Sequence, residues 1–273
     1  MEITEEVRSF YNGSVESEWN RIAGRPEFLL TARFLDRYVM PGEKVLDIGG
    51  GPGRYSLHLA KKGCDVTLLD LSDENVRFAK ERAKEQQLSI KAVCGDARYA
   101  DSLVNDKFDH VLLMGPMYHL LDEGDRVRAM NAALGLLKPG GLIYVSFISM
   151  YSNLIYMTKY QPDLISSDDP AETAYRESLL NGTSYAGDAF TKAFFAQPRE
   201  ALAFMDKFPL EKLHFFGQEG IMTLNEDRIY ACSPEIINSF VDISEKLCER
   251  EELLSWSEHL MYIGRKTSRK IVD

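Results

Sequence analysis

The feature that most restricts this chain is a repeated exchange between short apolar runs and helical segments across residues 44–149, with a glycine cluster at the exit of the first run. KVLDIG (44–49) passes straight into GGPG (50–53), and Arg54 to Lys62 then reads as a helix closed by Gly63. The later runs are DVTLLDL (65–71), SIKAVCGD (89–96), KFDHVLLMG (107–115) and LIYVSFIS (142–149). They are almost continuously apolar, as strands are when helices cover both faces of a parallel sheet. Ser72 and Asp122 stand where N-caps belong, ahead of helices through ENVRFAKERAKEQQ and over 123–137. Val127, Met130, Ala133, Leu134 and Leu137 supply the buried face of the second helix, which Lys138-Pro139-Gly140-Gly141 ends. Strands alternating with helices predict an open, doubly wound α/β sheet.

Glycines at 49, 51 and 53 directly after a buried strand serve a steric purpose. A sharp turn from strand to helix needs positive φ, and a missing Cβ lets a ligand approach the backbone. A dinucleotide fingerprint read from Gly49 would want Gly or Ala where Arg54 stands, and read from Gly51 it ends on Ser56. The GK[ST] of a phosphate loop is absent. Nicotinamide, flavin and nucleoside triphosphate cofactors therefore lose ground. Asp47, inside an apolar strand, needs partners because an unpaired buried charge is costly. Loop amides, or the amine of a cofactor reached directly or through water, would serve.

VLDIGGGPG resembles the D/E-x-G-x-G-x-G motif of the class I S-adenosylmethionine-dependent methyltransferases. The resemblance covers 44–148 and implies a Rossmann-like, mostly parallel seven-stranded sheet with helical cap insertions. It implies S-adenosyl-L-methionine as cofactor, with Asp47, Gly49, Gly50, Gly51 and Gly53 around its methionine part. By the same resemblance Asp70 and Leu71 lie at the ribose, and Asp96 and Ala97 at the adenine. LLMGPMYHL (112–120), with Gly115, looks like the small-molecule subgroup, and LLKPGGLIYVS (136–146) is that family's approach to the fifth strand. Read without the resemblance, Asp70 could simply cap the next helix and Asp96 could be a turn residue.

Methyl transfer is an in-line displacement for which the protein mainly supplies alignment and a dry pocket. An acceptor that must lose a proton also needs a base. His119 and Tyr118, just after the fourth strand where ligands of open α/β sheets bind, are the catalytic candidates, with wall residues as the alternative for both. Tyr11 and Trp19 are placed to fold over the cofactor from the N-terminal segment, with packing as the alternative. His214 and His259, inside strand-like runs, read as structural. No spacing of histidines and cysteines suggests a metal site, and no GxSxG elbow appears.

The expected organisation is an N-terminal helical segment covering the cofactor site (1–41), a core (42–149), a lid or substrate-binding insertion (150–196), and completion of the sheet (197–273) with a helical insertion near 221–256. Within the first segment a helix is expected over 27–39, with Phe28, Leu29, Ala32, Leu35 and Val39 packed inward. Residues 150–196 are the expected acceptor pocket, where Tyr151, Tyr156, Tyr160, Tyr175, Tyr185, Phe190, Phe194 and Phe195 could surround a flat or apolar substrate, with packing in the core of the lid as the commoner role of such aromatics. PLEKLHFFG (209–217) and HLMYIGRK (259–266) read as the last strands, and 235–256 as one helix that covers the sheet or forms a dimer surface.

The 42 acidic and 32 basic side chains leave a formal charge of -10, which counts against a broad phosphate-binding surface. A small-molecule acceptor is expected, with nucleic acid disfavoured. An RNA or protein methyltransferase and a non-catalytic S-adenosylmethionine-binding regulator are the alternatives. The longest apolar stretch, 142–151, is too short for a membrane span, the acidic N-terminus lacks a signal-like apolar run, and the four scattered cysteines suit a reducing compartment. A cytoplasmic monomer or homodimer is the resulting expectation.

Overall fold

The computed structural model describes residues 3–21 and 23–268. Nine strands form one sheet: β1 (Lys44–Ile48), β2 (Asp65–Asp70), β3 (Ile90–Cys94), β4 (Phe108–Leu113), β5 (Leu137–Ser149), β6 (Tyr185–Asp188), β7 (Lys192–Ala196), β8 (Leu210–Gly217) and β9 (His259–Lys266). The main path runs β3-β2-β1-β4-β5-β9-β8, and only β9 breaks the parallel run along it. These are the seven expected strands in a doubly wound, mostly parallel sheet. The addition is the β6–β7 hairpin, whose second strand pairs with Ile148 and Ser149, beyond Val145, the last β5 residue paired with β4. An irregular run of polar and aromatic residues concealed this hairpin, because its alternation spans only a few positions.

The chain winds from β1 outward to β3, then returns to place β4 on the other side of β1. Loops leaving β1 and β4 therefore diverge, and they open a crevice at the carboxyl ends of the strands. Helices α1 (Ile3–Gly13), α2 (Val15–Arg21) and α3 (Pro26–Tyr38) precede the sheet, and α4 (Arg54–Lys61) and α5 (Asp73–Glu85) follow β1 and β2. On one face, Leu30, Phe34 and Leu35 of α3 and Tyr55 and Leu59 of α4 pack on Val45, Val66, Leu112 and Tyr144. On the other, Leu46, Val111, Ile143 and Val145 meet Met130 and Ala133 of helix Glu123–Leu136 and Phe204 of helix Pro198–Met205. The strand alternation places Val45 and Leu46 on opposite faces, so both cores grow from the same five residues of β1.

Two expected helices differ in detail. The α3 face extends to Leu30 and Phe34, and Phe34 stacks on Phe216 of β8 with ring centroids 4.1 Å apart. The helix is covered on a second side as well, where Arg33 pairs with Asp242 and Glu245 of helix Pro234–Leu247. The single helix expected over 235–256 is instead Pro234–Leu247 followed by Glu251–Leu254, interrupted where Cys248 and Arg250 leave the helix.

The insertion has its own small core of Ile148, Met150, Met157, Tyr175, Tyr185 and Phe195. Tyr175 is its peg: the hydroxyl donates to Met150 O at 2.7 Å and accepts from Leu154 N at 3.1 Å. Tyr175→Phe leaves two buried backbone groups without that partner, and a loss of about 2 kcal/mol in denaturant unfolding is expected. Unfolding within about 0.5 kcal/mol of the parent would show that the peg is not needed.

Candidate functional site

The β1 exit is built by glycines with different duties. Gly49 has φ +72°, and a Cβ there would lie 2.4 Å from Pro116 Cδ. Gly53 has φ +90° and sits against Ala79 at the start of α4. Gly51 has φ +55°, yet nothing lies within 4 Å of where its Cβ would be. Its missing side chain faces open space, the arrangement expected where a ligand approaches the backbone.

Asp70 ties this loop to the next strand. Its Oδ2 accepts from Gly51 N at 2.8 Å, while Oδ1 accepts from Ser72 N at 2.9 Å and Asn75 Nδ2 at 3.2 Å. Ser72 caps α5 through Asn75 N, so the acid and the cap are separate residues. Burial raises the Asp70 carboxyl above its ordinary range, and the three N–H donors oppose that rise. Burial likewise pushes Asp47 up to about 6, against the hydrogen bond from Ser56 Oγ at 2.7 Å. Ser56, at the head of α4, thus supplies the partner that a buried carboxylate needs.

Asp96 caps the short turn Ala97–Tyr99 after β3, as its reading as a turn residue expects. Arg98 Nε lies 3.0 Å from one carboxylate oxygen, and the Arg98 amide donates to the other at 2.9 Å. The same guanidinium reaches Asp125 at 2.7 Å and Thr4 of α1 at 2.9 Å. Arg98 thus fastens the first helix over this end of the crevice, a link between residues 94 positions apart that no local pattern reveals.

After β4, Gly115 admits close contact, because a Cβ there would sit 2.7 Å from Gly49 O. His119 Nδ1 faces Lys192 O at 2.9 Å, so that nitrogen carries the proton, and Nε2 accepts from Tyr11 OH at 2.7 Å. Both nitrogens are occupied. Burial pushes the imidazole down to about 4. Tyr118 lines the same cavity, and burial raises its phenol well above the ordinary range, away from ready ionisation.

A cavity of about 220 Å³ joins these parts. It is lined by Asp47, Gly49, Gly50, Gly51, Asp70, Leu71, Asp96, Ala97, Gly115, Tyr118, His119 and Tyr11, which brings together most of the expected site. Gly53 lies beneath the loop and does not line it, and neither does Trp19. The Trp19 indole instead has Arg54 3.4 Å above its ring and Phe78 at its edge, so it braces α2 against α4 and α5. No residue of 150–196 lines the cavity either. That insertion contributes behind the wall, through Lys192 O and the contact of Phe190 with Phe10 and His119.

The cavity is also lined by Glu18, Arg21, Glu27, Tyr55, Ser146 and Gln218. Glu27, Glu219 and His259 place ligand-type atoms within 4.8 Å of one another, although they are far apart in sequence. His259 Nδ1 contacts Glu219 Oε1 at 2.7 Å and its amide donates to Oε2 at 3.0 Å, so the histidine read as a strand residue belongs to an ion pair. Burial alone would lower its imidazole, but Glu27 and Glu219 outweigh that and raise it to about 9.

Residues 45–141 match the family described as a methyltransferase domain. The chain is 31% identical over 153 residues to a ubiquinone biosynthesis O-methyltransferase of Coxiella burnetii, covering 53% of this chain and 62% of that one. It is 30% identical over 144 residues to a 23S rRNA (uracil(747)-C(5))-methyltransferase of Pyrococcus abyssi, covering 51% and 33% respectively. The chain thus spans less than two thirds of the length of these relatives. A magnesium protoporphyrin IX methyltransferase from Synechocystis, solved with S-adenosylhomocysteine, shares the fold with a TM-score of 0.58 at 12% identity, over 97% of this chain and all of that one.

Two outcomes test the site. Gly51→Ala is expected to cost only the roughly 1 kcal/mol of a left-handed alanine, whereas Gly49→Ala must also displace Pro116 and should lower thermal stability several degrees further; equal melting temperatures would contradict the division of duties. His119 should remain a neutral Nδ1–H tautomer by NMR until pH falls near 4. Because its folded pKa lies below its unfolded one, its share of stability is present above about 6.5 and lost as pH falls toward 4. Titration of the folded ring at its ordinary pKa would refute this.

Proposed function

We propose that this chain, which has the fold and signature residues of the class I S-adenosylmethionine-dependent methyltransferases, transfers the methyl group of S-adenosylmethionine to a small-molecule acceptor. The observation that carries the reading is the cavity running along the strand ends from the Asp96 turn after β3, past Asp70 and Gly51, to Tyr118 after β4. Its chemistry fits the cofactor. Gly51 leaves open space above a loop amide that is already oriented by Asp70. The buried Asn75 Oδ1 has no hydrogen-bond partner among the described residues, and Asn75 is among the residues that line the cavity.

Bound S-adenosylmethionine would supply an activated methyl group on a sulfonium. In this reading Asp70 and Asn75 accept from the ribose hydroxyls, Asp96 and Ala97 face the adenine, and the Gly49–Gly51 backbone and Asp47 hold the amino-acid end. Arg98 holds α1 over the cofactor, and Tyr11, fixed by His119, closes that side and excludes water. His119 acts here by positioning Tyr11, since neither of its nitrogens is free to take a proton. Tyr118 shapes the acceptor space. With water excluded and the reactants aligned, placement supplies most of the rate.

The relative from Pyrococcus acts on rRNA by its name, which gives an RNA acceptor a claim. The formal charge of -10 and the carboxylates Glu18 and Glu27 in the cavity wall weigh toward a small molecule. The four cysteines are free, in keeping with a cytoplasmic setting.

Calorimetry should detect both S-adenosylmethionine and S-adenosylhomocysteine binding one per chain. Asp70→Ala removes a charged acceptor and should weaken both by about 10- to 100-fold; unchanged affinity would remove Asp70 from the ribose site. No binding by the parent protein at millimolar cofactor would end the reading.

A further inference from the structure

The cavity does not stop at Tyr118. It continues past Ser146 of β5 to Gln218, which follows β8, so it spans the strand ends almost from one edge of the sheet to the other. The part beyond β4 is walled by polar side chains. Gln218 is 1% exposed, and its side chain accepts from Ser146 Oγ at 2.5 Å and donates to Thr31 Oγ1 at 2.9 Å, which fixes the orientation of its amide.

Next to it lies a row of alternating charges. Arg21 contacts Glu18 at 3.0 Å and Glu27 at 2.9 Å. Glu27 neighbours His259, and His259 is bonded to Glu219. Glu219 is 3% exposed, and His259 binds both of its oxygens, so this pair is closed on itself. Of the three carboxylates and two cations, one negative charge is left over, and it sits at the cavity wall. Glu27 uses Oε2 for Arg21, and its Oε1 makes no hydrogen bond among the described residues. The Tyr118 hydroxyl likewise has no partner among them, although it lies close enough to Glu27, Glu18 and Arg21 to feel their charges. Burial opposes ionisation of Glu27, but Arg21 and His259 outweigh it and hold the group as a carboxylate.

Glu27 and Tyr118 both line this space, each with an oxygen that has no hydrogen-bond partner among the described residues, and with the surplus negative charge they complement a cation that has several N–H donors. An acceptor anchored by a carboxylate would meet repulsion from Glu27 and Glu18. A purely apolar one would leave both oxygens desolvated without partners. Resting on the methyl-transfer reading above, we propose that the acceptor is a small molecule carrying a protonated amine, which docks on Glu27 and Tyr118. Arg21 and the Glu219–His259 pair are positioning residues that hold Glu27 in place and ionised. The docked amine is an anchor, and the methylated atom can be another part of the same molecule.

The test uses the full chain saturated with S-adenosylhomocysteine and three probes that share a phenol ring but differ at the far end. Tyramine ends in ammonium, 2-(4-hydroxyphenyl)ethanol in hydroxyl and 4-hydroxyphenylacetate in carboxylate. Calorimetry should find tyramine tighter than the alcohol by about tenfold or more, with the carboxylate weakest. Glu27→Gln should bring tyramine to the level of the alcohol while S-adenosylhomocysteine affinity stays within about threefold, which keeps loss of the anchor apart from loss of the fold. Equal binding of tyramine and the alcohol, preference for the carboxylate, a preference that survives in Glu27→Gln, or binding of no probe at millimolar concentration each overturns the assignment. NMR titration adds a readout independent of any acceptor. His259 faces Glu27, Glu219 and Arg21, and its ring should titrate near pH 9 and at a lower pH in Glu27→Gln. An unmoved titration would break the bracing. Failure of the parent chain to bind S-adenosylhomocysteine would instead strike the methyl-transfer reading itself.

Discussion

One hydrogen bond organises the site: the Gly51 amide on the Asp70 carboxylate, 2.8 Å long. It joins the exits of β1 and β2, neighbouring strands on one side of the switch point between β1 and β4. The loop can present that amide only because Gly49, Gly51 and Gly53 all adopt positive φ. Asp70 can accept it only because its other oxygen is held by Ser72 and Asn75 at the head of α5. Backbone conformation, strand order and carboxylate placement are therefore one constraint seen at three scales.

The first three helices complete what the sheet begins. Arg98 reaches Thr4, Arg8 reaches Leu71 O at 3.3 Å, and Asn12 accepts from Ser72 at 2.5 Å, so α1 is fastened along the crevice by polar contacts more than by a deep apolar face. Val7 is its one buried residue. Such a segment can open without tearing a core, which suits a cover that must admit and release ligands. Beneath it the two histidines take opposite roles. His119 is neutral and fully bonded, whereas His259 is charged and paired, and burial is common to both. Neighbouring carboxylates make the difference, since His259 has Glu27 and Glu219 while His119 faces a carbonyl and a phenol.

What could be read in the sequence follows the range of the forces involved. The strands of 44–149 are visible because burial on both faces of a parallel sheet leaves an unbroken apolar run, and Ser72 and Asp122 are visible because capping is local. Asp70, Asp96 and Gly115 stand at strand ends and could be located once the strands were. Arg98 could have been suspected from its place two residues after Asp96, although its grip on Thr4 could not. Glu18 and Arg21 lie in EWNRI (18–22), which resembles a segment ahead of the core in such methyltransferases, but Glu27 gave no signal, for charged residues early in a chain usually mean solvated helix surface. Their role depends on β9 and the turn after β8, more than 190 residues later, arriving beside them. The aromatics of 150–196 were open to two readings for the converse reason: in one dimension Tyr175, Tyr185 and Phe195 suit a ligand cage as well as a lid core, and in three they fill the core.

The most direct test of the central claim is a crystal structure of the full chain with S-adenosylhomocysteine. The ribose should lie at Asp70, the amino-acid end over Gly51, and the sulfur should be directed toward Tyr118 and the space lined by Glu27 and Gln218, under α1. A ligand seated elsewhere, or a sulfur facing the 150–196 insertion instead, would contradict it.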